Sequence, residues 1–553
     1  MIVTAAAALA VLTGPSSAVA AATAPANGLG TKAALSSAAC DSSRNDNGAV
    51  KLPYGGAVPC VKPFAAGAKN GGATSQGVTG TTIKVVVRKA TDDDIALTNG
   101  PPKDRATGQT ATMNQAIHDS AAIFEHTNQQ WGRKVEFSYY QSTGADEASQ
   151  RADAVAVAAM KPFAVLDIGG KAVPAGDVFE TLMAQDKIMS FSSATGTNKE
   201  SIQQTPYRWT ATTDYTATAL LGAELIGKQL IGKKAEFAGT DALKTKTRTF
   251  GIIRSLASNA PDQTYITKAL AQNKVKIVPG TELTYDPGSD PAQAVQVADQ
   301  NAGPMVSKLK DAGVTSVLLE TTEYTTVAAI TRAMKSQEYS PELITMGVGL
   351  IDIALLDRSG FNVDQDIFSH AFGVLTLYPP VQGVSVGPSD SAFKWFWGEN
   401  KGVYSQTAYS NIDMLFAGIH MAGPNLTPAT FKTGFFQRGA VGGAKSDQRA
   451  NTIRAYGRSG GLPYDEYLTG GDAALAYWDP NKVGPSVSVT APDAKGNWMF
   501  LNGAKRYLSG DIPKTSAFFT DPTAINVIPV ASPADSYPAY PCDGCPVNGG
   551  TVA

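Results

Sequence analysis

The sequence has few charged residues, and the two signs of charge nearly cancel. Only 17% of its 553 residues are Asp, Glu, Lys or Arg, compared with about 25% in an average globular chain. The 46 basic residues are matched by 48 acidic ones, which gives a net charge of -2. A chain without a basic excess has little to attract a phosphate backbone, so we expect no nucleic-acid partner.

Long hydrophobic runs are also scarce, and the one at the start is short and interrupted. Residues 1–24 are Ala-rich, are broken by Gly14-Pro15 and end in alternating small residues, as a signal peptide does. No Lys or Arg precedes Lys32, so an Ala-rich disordered tail is the alternative. No other stretch reaches about 18 apolar residues. We therefore expect a secreted, extracytoplasmic protein whose mature chain does not span a membrane.

The four cysteines lie in two outlying pairs, Cys40 with Cys60 and Cys542 with Cys545. A zinc site needs four ligands, and none of the four histidines is near either pair in sequence. Disulfides that staple the ends of an exported chain are the favoured interpretation, although four cysteines allow three pairings. The sequence contains no P-loop, HExxH or Gly-rich dinucleotide motif in a strand-to-helix context, so we expect no metal and no cofactor.

Between the ends, strands and helices alternate in two successive halves. The first half includes a β run at Ile83–Val87 and a helix whose apolar face carries Met113, Ala116, Ile117, Ala121 and Phe124. Such alternation predicts an α/β fold of two Rossmann-like lobes with parallel sheets. The expected divisions are a signal peptide at 1–24, a lead-in at 25–80, lobe 1 at 81–210 plus 372–485, lobe 2 at 211–371 plus 486–530, and a Pro-rich tail at 531–553. Asn502-Gly503 also predicts a hairpin between Trp498–Leu501 and Lys505–Leu508.

Ligands of an open parallel sheet bind beyond the carboxyl ends of its strands. In the first half this rule selects the loop SSATGTN from Ser192, whose hydroxyl groups can donate to a carboxylate; an ordinary helix N-cap is the alternative. In the second half it selects Glu320 to Tyr324, a mixture of polar, acidic and aromatic groups, with a capping turn as the alternative.

Residues Gly383 to Gly387 match the G-x-S-x-G pattern of a hydrolase nucleophile, with Ser385 at its centre and His420 as the one downstream His. A nucleophile elbow needs a strand directly before the Ser and a helix directly after it. Prolines on both sides of the motif predict a loop instead, so an exported hydrolase is the less favoured hypothesis.

Four segments together carry a family resemblance: PCVKPFAAGAKNGGATSQGVTGTTIKVVV at the entry to the first half, KIMSFSSATGTN, YRWTATTDY, and VTSVLLETTEYTTVAAITRAMKSQEYSPELITMG in the second half. In their order and loop residues they resemble the solute-binding proteins of ABC importers, of the branched-chain amino acid type with the periplasmic binding protein class I fold. The resemblance implies two lobes joined by a multi-strand hinge that close on a small polar molecule without catalysis. It also implies an ABC permease as partner and a monomer; a ligand-sensing ectodomain without a transporter is the alternative.

The resemblance also implies a set of ligand-binding residues. Ser193, Ala194 and Thr195 correspond to the family's carboxylate-binding loop, with Ser192 before them and Lys171 in the neighbouring loop. Thr322, Glu323 and Tyr324, after Thr321, correspond to the loop of the second lobe that presents an aromatic side chain. The sequence departs from the family at 347–349, where amino-acid binders have an acidic residue and this chain has none. Glu323 is the candidate substitute.

Overall fold

Strands and helices alternate through both halves of the chain, as the apolar periodicity predicts. The structure, a computed structural model, describes the two-residue strands β1 (Asn45–Asp46) and β2 (Ala49–Val50), and residues 58–528 with gaps. The longer gaps are 90–112, 169–177, 193–197, 256–263, 286–290, 348–361, 380–391, 398–402, 443–452 and 485–493.

The first sheet has five parallel strands, in the order β4-β3-β5-β6-β7. Two of its inner strands, Ala164–Ile168 and Met189–Ser192, are buried at every position, as expected for parallel strands covered on both faces. The strands are β3 (Thr82–Lys89), β4 (Lys134–Gln141), β5 (Ala164–Ile168), β6 (Met189–Ser192) and β7 (Arg208–Thr210).

Four helices accompany this sheet in sequence. They are α1 (Met113–Thr127), α2 (Glu147–Ala159), α3 (Val178–Gln185) and α4 (Lys199–Gln203). The predicted apolar face of α1 is confirmed, because all five of its residues are buried. One apolar core covers the α1 face of the sheet, and a smaller core around Phe179 and Met183 covers the other face.

The second sheet repeats this topology and then extends it. Its parallel strands are ordered β9-β8-β10-β11-β12, so each sheet has its first strand between its second and third. Three later strands complete the sheet in antiparallel pairing, which makes it mixed and not purely parallel. The strands are β8 (Phe250–Ser255), β9 (Ile277–Tyr285), β10 (Ser316–Glu320), β11 (Glu342–Met346), β12 (Ala371–Leu375), and, after a small pair β13 (Val441–Gly442) and β14 (Ile453–Arg454), β15 (Asp472–Gly484), β16 (Ala494–Phe500) and β17 (Arg506–Leu508).

The remaining helices divide between the two sheets. The second sheet is accompanied by α5 (Tyr215–Leu225, continued by a π turn at Ile226–Leu230), α6 (Asp241–Lys244), α7 (Thr264–Gln272), α8 (Pro291–Asp311), α9 (Tyr324–Ser336), α10 (Gln365–Phe368) and α13 (Leu501–Ala504). Between α10 and α13 in sequence, α11 (Val403–Ala422) and α12 (Pro428–Gln437) contribute to the apolar core of the first. Two further apolar cores cover the two faces of the second sheet. The α/β fold with two sheets and separate cores, predicted from the sequence, is therefore present.

Within the part of the chain that the structure describes, the backbone crosses between the two sheets three times. It leaves the first sheet after β7 and enters α5, which packs against β11 and β12. It returns after β12 to α11, which packs against α1, β5 and β6. It leaves again after Leu468 to form β15. Thr210 and Leu468 form a parallel bridge, so the first and third crossing segments lie side by side.

Two expectations differ from the structure. The predicted range 372–485 for lobe 1 is too wide, because β12 and β15 pair within the second sheet and the chain returns to the first sheet only between them. The predicted hairpin is wrong: β16 and β17 each pair with β15, not with each other. The other divisions of the chain stay predictions.

Candidate functional site

The repeated strand order creates one topological switch point in each sheet, between the first and third strands. In open α/β sheets ligands bind beyond the carboxyl ends of the strands at this point. The first switch point lies between β3 and β5, and the second lies between β8 and β10. A basic and an acidic residue face each other across each of them, Arg88 opposite Asp167 in the first sheet and Arg254 opposite Glu320 in the second.

In the first sheet the Arg88 guanidinium binds two carboxylates at once. Its Nη1 donates to both oxygens of Asp167, at 2.9 and 3.2 Å, and its Nε donates to Oδ2 of Asp153 at 3.0 Å. The guanidinium also lies 4.3 Å from the centre of the Phe179 ring. Burial raises the pKa of Asp167 to about 6, although Arg88 opposes the shift. All three charged side chains are buried, so this cluster fastens α2 to the strands.

In the second sheet the equivalent acid is held by a tyrosine. The hydroxyl of Tyr265, on α7, donates to Oε1 of Glu320, and both residues are buried. Arg254 forms an ion pair with Glu282 at 2.8 Å. Burial, and then the Glu320 charge, raise the pKa of Tyr265 well above its ordinary value, so Tyr265 stays a donor.

Two of the predicted ligand-binding residues are described with their side chains. Ser192 ends β6, in register with Asp167 and Thr210, and Thr321 directly follows β10; both are buried. Tyr324 begins α9, but its side chain lies outside the described residues, as do Lys171, Ser193, Ala194, Thr195, Thr322 and Glu323. Ser192 and Thr321 thus lie at the carboxyl edges of their sheets, and the ligand-binding assignments stay predictions.

Of residues 347–349, where the sequence differs from the family that it resembles, the structure describes only Gly347. Gly347 has φ +72°, and a Cβ there would lie 3.3 Å from Cγ2 of Val374. An L residue would be strained in that backbone conformation. An acidic side chain at this position would therefore be strained unless the backbone changed.

His420 does not offer a nitrogen to a nucleophile. Its Nδ1 accepts from the Gln129 backbone N–H at 3.0 Å, and its Nε2 lies 2.8 Å from the Pro59 carbonyl, to which it donates. Burial lowers the pKa of His420 to about 4, so the ring is neutral. Ser385 lies outside the described residues. The hydrolase hypothesis thus loses the base that it required, because both ring nitrogens of that base bind backbone.

Sequence reasoning missed a carboxyl pair where the crossing segments meet. Asp214 caps α5: its Oδ1 accepts from the Thr216 N–H at 2.8 Å, and its Oδ2 accepts from the Tyr464 hydroxyl at 2.6 Å. Glu466, from the third crossing segment, lies beside Asp214, and its Oε1 accepts the Leu468 N–H at 2.7 Å. An Asp before a helical pattern is a capping signal, but nothing in the sequence indicated Glu466 as its neighbour.

Cys60 is fully buried and disulfide-bonded, while the other three cysteines lie outside the described residues, so the pairing stays a prediction. Within the described part of the chain, no group of three or more His, Cys, Asp or Glu residues could hold a metal ion. In the same part of the chain, no helix combines the length and the apolar character that a membrane span needs.

No family model matches the chain, and no curated protein matches it. Among solved structures, the chain is similar to a Leu-, Ile-, Val-, Thr- and Ala-binding protein from Brucella ovis in a closed conformation, at 11% identity over 79% of this chain and 99% of that one, with a TM-score of 0.48. It is also similar to an ABC transporter substrate-binding protein from Aeropyrum pernix, at 12% identity over 78% and 96% of the two chains, with a TM-score of 0.46. A third is an ABC transporter solute-binding protein from R. palustris in complex with 4-hydroxybenzoate, at 14% identity over 75% and 96%, with a TM-score of 0.43. These three neighbours are binding proteins for amino acids, substrates or solutes.

Proposed function

We propose that this protein captures a small polar molecule between its two lobes and releases it unchanged. The observation that carries this proposal is the repeated topology: two sheets with the same strand order, each with a switch point, joined by crossing segments of which two lie side by side. Two lobes on adjacent segments can close by hinge motion around a ligand at their facing edges.

Recognition is assigned to the loops that follow the strands. In the first lobe Lys171, Ser193 and Thr195 supply a charge and two hydroxyl donors for a carboxylate on the ligand. In the second lobe Glu323 and Tyr324 supply an acceptor and an aromatic ring, with Glu323 in the role that the glycine at 347 cannot serve. A small carboxylate with a second polar group or a ring is the ligand class that fits these residues.

A thermal-shift screen of amino acids and aromatic carboxylates tests the binding step. A ligand that binds only the folded protein stabilises it by about 2.7 kcal/mol at a concentration 100 times its Kd. We expect a compound that raises the unfolding temperature and reduces the radius of gyration in solution scattering. A screen without any stabilising compound would count against the proposal.

Variants separate recognition from stability. Ser193→Ala with Thr195→Ala should weaken binding of the compound found and leave the unfolding temperature of the free protein unchanged. Ser336→Ala is the matched control, because that hydroxyl is exposed on α9 and donates to the Ala333 carbonyl of its own helix at 2.9 Å. Equal affinity in all three proteins would exclude the assigned loop.

We also propose that the protein delivers the captured molecule to an ABC permease outside the cell. Such delivery predicts that a strain lacking this protein takes up the radiolabelled ligand more slowly and recovers when the gene is restored. Unchanged uptake, together with ligand binding by the purified protein, would instead favour the sensing alternative.

A further inference from the structure

Two buried carboxyl groups from different crossing segments meet where the lobes join. Asp214 belongs to the first segment and Glu466 to the third, and both side chains are completely buried. Asn198 hydrogen bonds both segments. Its backbone N–H donates to Asp214 of the first segment at 3.2 Å, and its side-chain oxygen accepts from the Tyr467 N–H of the third segment at 3.1 Å. The pair thus lies inside a hydrogen-bonded joint between the two segments.

Among the described residues, the Asp214 carboxyl accepts three hydrogen bonds and the Glu466 carboxyl accepts one. Tyr464 donates its hydroxyl to Asp214, and Leu468 donates its N–H to Oε1 of Glu466. The other oxygen of Glu466 is buried, and no N–H or O–H of the described residues donates to it. Only a proton on one carboxyl lets the two bond directly, because two carboxylates are both acceptors.

The charged groups near this joint are engaged elsewhere. Asp465 pairs with Arg458 at 2.8 Å on an exposed part of the third segment. The Lys432 ammonium lies over the Tyr467 ring, 5.7 Å from its centre. Among the described residues, the groups that donate to Asp214 and Glu466 are the Tyr464 hydroxyl and the backbone N–H groups of Asn198, Thr216 and Leu468.

We propose that Asp214 and Glu466 form a pH-sensitive latch, which holds the first and third crossing segments together while the pair keeps a proton and loosens them when it is lost. Because lobe closure is taken from the proposed function, the latch would regulate capture at that same site. Its physical basis is independent of any ligand: loss of the proton replaces a hydrogen bond with repulsion between two buried charges.

The direction of the pH dependence follows from the burial of both groups. Burial raises the pKa of Asp214, and burial together with the Asp214 charge raises the pKa of Glu466 well above its ordinary value. The folded protein thus keeps the shared proton at a pH where an unfolded chain has lost it. The latch is closed at low pH and opens as the pH rises through the raised pKa of the pair, which titrates as one unit.

Spin labels on the two lobes test this without a ligand. Val155 on α2 and Val295 on α8 have 72% and 43% exposure, so both can be changed to Cys and labelled with little effect on packing. As the pH is raised from acidic to alkaline values through the raised pKa of the pair, we expect the distribution of distances between the labels to widen. The Glu466→Gln variant keeps a permanent N–H donor for Asp214 and should show no such widening.

Two further variants complete the test. Asp465→Asn is the matched control, because it removes a neighbouring carboxylate outside the pair and should widen with pH as the original protein does. Tyr464→Phe removes the hydroxyl that stabilises the Asp214 anion, so the midpoint of the widening should move to higher pH. This variant decides the question if Glu466→Gln does not fold.

A constant distribution in the original protein, a widening that persists in Glu466→Gln, or an unmoved midpoint in Tyr464→Phe would each overturn the latch. Failure of the ligand screen with an intact pH response would instead overturn only the proposed function.

Discussion

Replacing Glu342 with Gln tests the buried ion pair at the amino edge of the second sheet. Glu342 begins β11 and is fully buried, and Arg248 before β8 donates to it twice, with Nη2–Oε1 2.7 Å and Nε–Oε2 2.8 Å. Ser316 at the start of β10 donates to Oε2 at 2.6 Å, and the Phe237 N–H donates to Oε1 at 3.1 Å. One carboxylate therefore joins three neighbouring strands and a loop.

The Gln variant removes the buried counter-ion of the Arg248 guanidinium and leaves the mostly exposed Glu236 carboxylate 4.0 Å away. Removal of one partner from a buried pair costs about 3–5 kcal/mol, because the remaining charge stays desolvated. With a urea m-value of about 3 kcal/mol/M, this loss lowers the unfolding midpoint by about 1–1.7 M. Urea unfolding followed by the near-ultraviolet signal of Trp478 and Trp498, which pack against each other in this lobe, measures it.

A control variant and a double variant show whether the buried charge of Arg248 causes the loss of stability. The Glu236 carboxylate lies 4.0 Å from Arg248 but its side chain is 63% exposed, so Glu236→Gln should change stability by less than about 0.5 kcal/mol. Adding Arg248→Met to Glu342→Gln removes the stranded charge and should recover part of the loss. A cost below about 1 kcal/mol for Glu342→Gln, or a double variant less stable than the single one, would refute the explanation by an uncompensated buried charge.

Burial raises the pKa of Asp167 in the folded protein to about 6, whereas an exposed Asp has a pKa of about 3.9. Asp167 should therefore make the free energy of unfolding fall as the pH rises from about 4 to about 6. Urea titrations at several pH values should show a smaller fall for Asp167→Asn. Burial lowers the pKa of His420 to about 4, so its contribution should rise with pH from about 4 to about 6.5 and vanish in His420→Gln. A Cβ on Gly434 would lie 2.2 Å from the Met421 carbonyl oxygen, so Gly434→Ala should lower stability by about 1–3 kcal/mol. Gly303 in α8 has nothing within 4 Å of an added Cβ, so Gly303→Ala should raise stability by up to about 1 kcal/mol, and thermal unfolding compares the two.

The pattern of apolar residues predicted strands and helices in both halves, because that pattern depends on which residues of each element are buried. Every residue of β5 and β10 is buried and most of them are apolar, which is the pattern of a strand inside a parallel sheet. The pairing of the last strands was not predictable in the same way. Asn502 and Gly503 adopt the left-handed conformation that a hairpin turn needs, yet β16 and β17 continue along β15, because the partner is set by packing far away in sequence.

The candidate site shows the same limit. The rule for strand ends selected loops, and Ser192 and Thr321 lie at the edges where it places them. The rule did not identify Arg88 opposite Asp167, because register between β3 and β5 depends on the sheet and not on either strand alone. It also could not bring Asp214 and Glu466 together, since their contact depends on how two crossing segments pack.

The charges at the carboxyl edges are already used within the sheets. Arg88 binds Asp167 and Asp153, and Glu320 accepts the Tyr265 hydroxyl, so neither switch point offers its central charge to a ligand without losing a buried contact. In a chain with 17% charged residues, a ligand's charge must then be matched from the loops beyond the strands. Lys171 and Glu323 are the charged residues in the loops proposed to bind it. A ligand with one negative group towards the first lobe and one positive or hydroxyl group towards the second therefore fits better than a doubly charged anion, which would leave one charge unpaired after the lobes close.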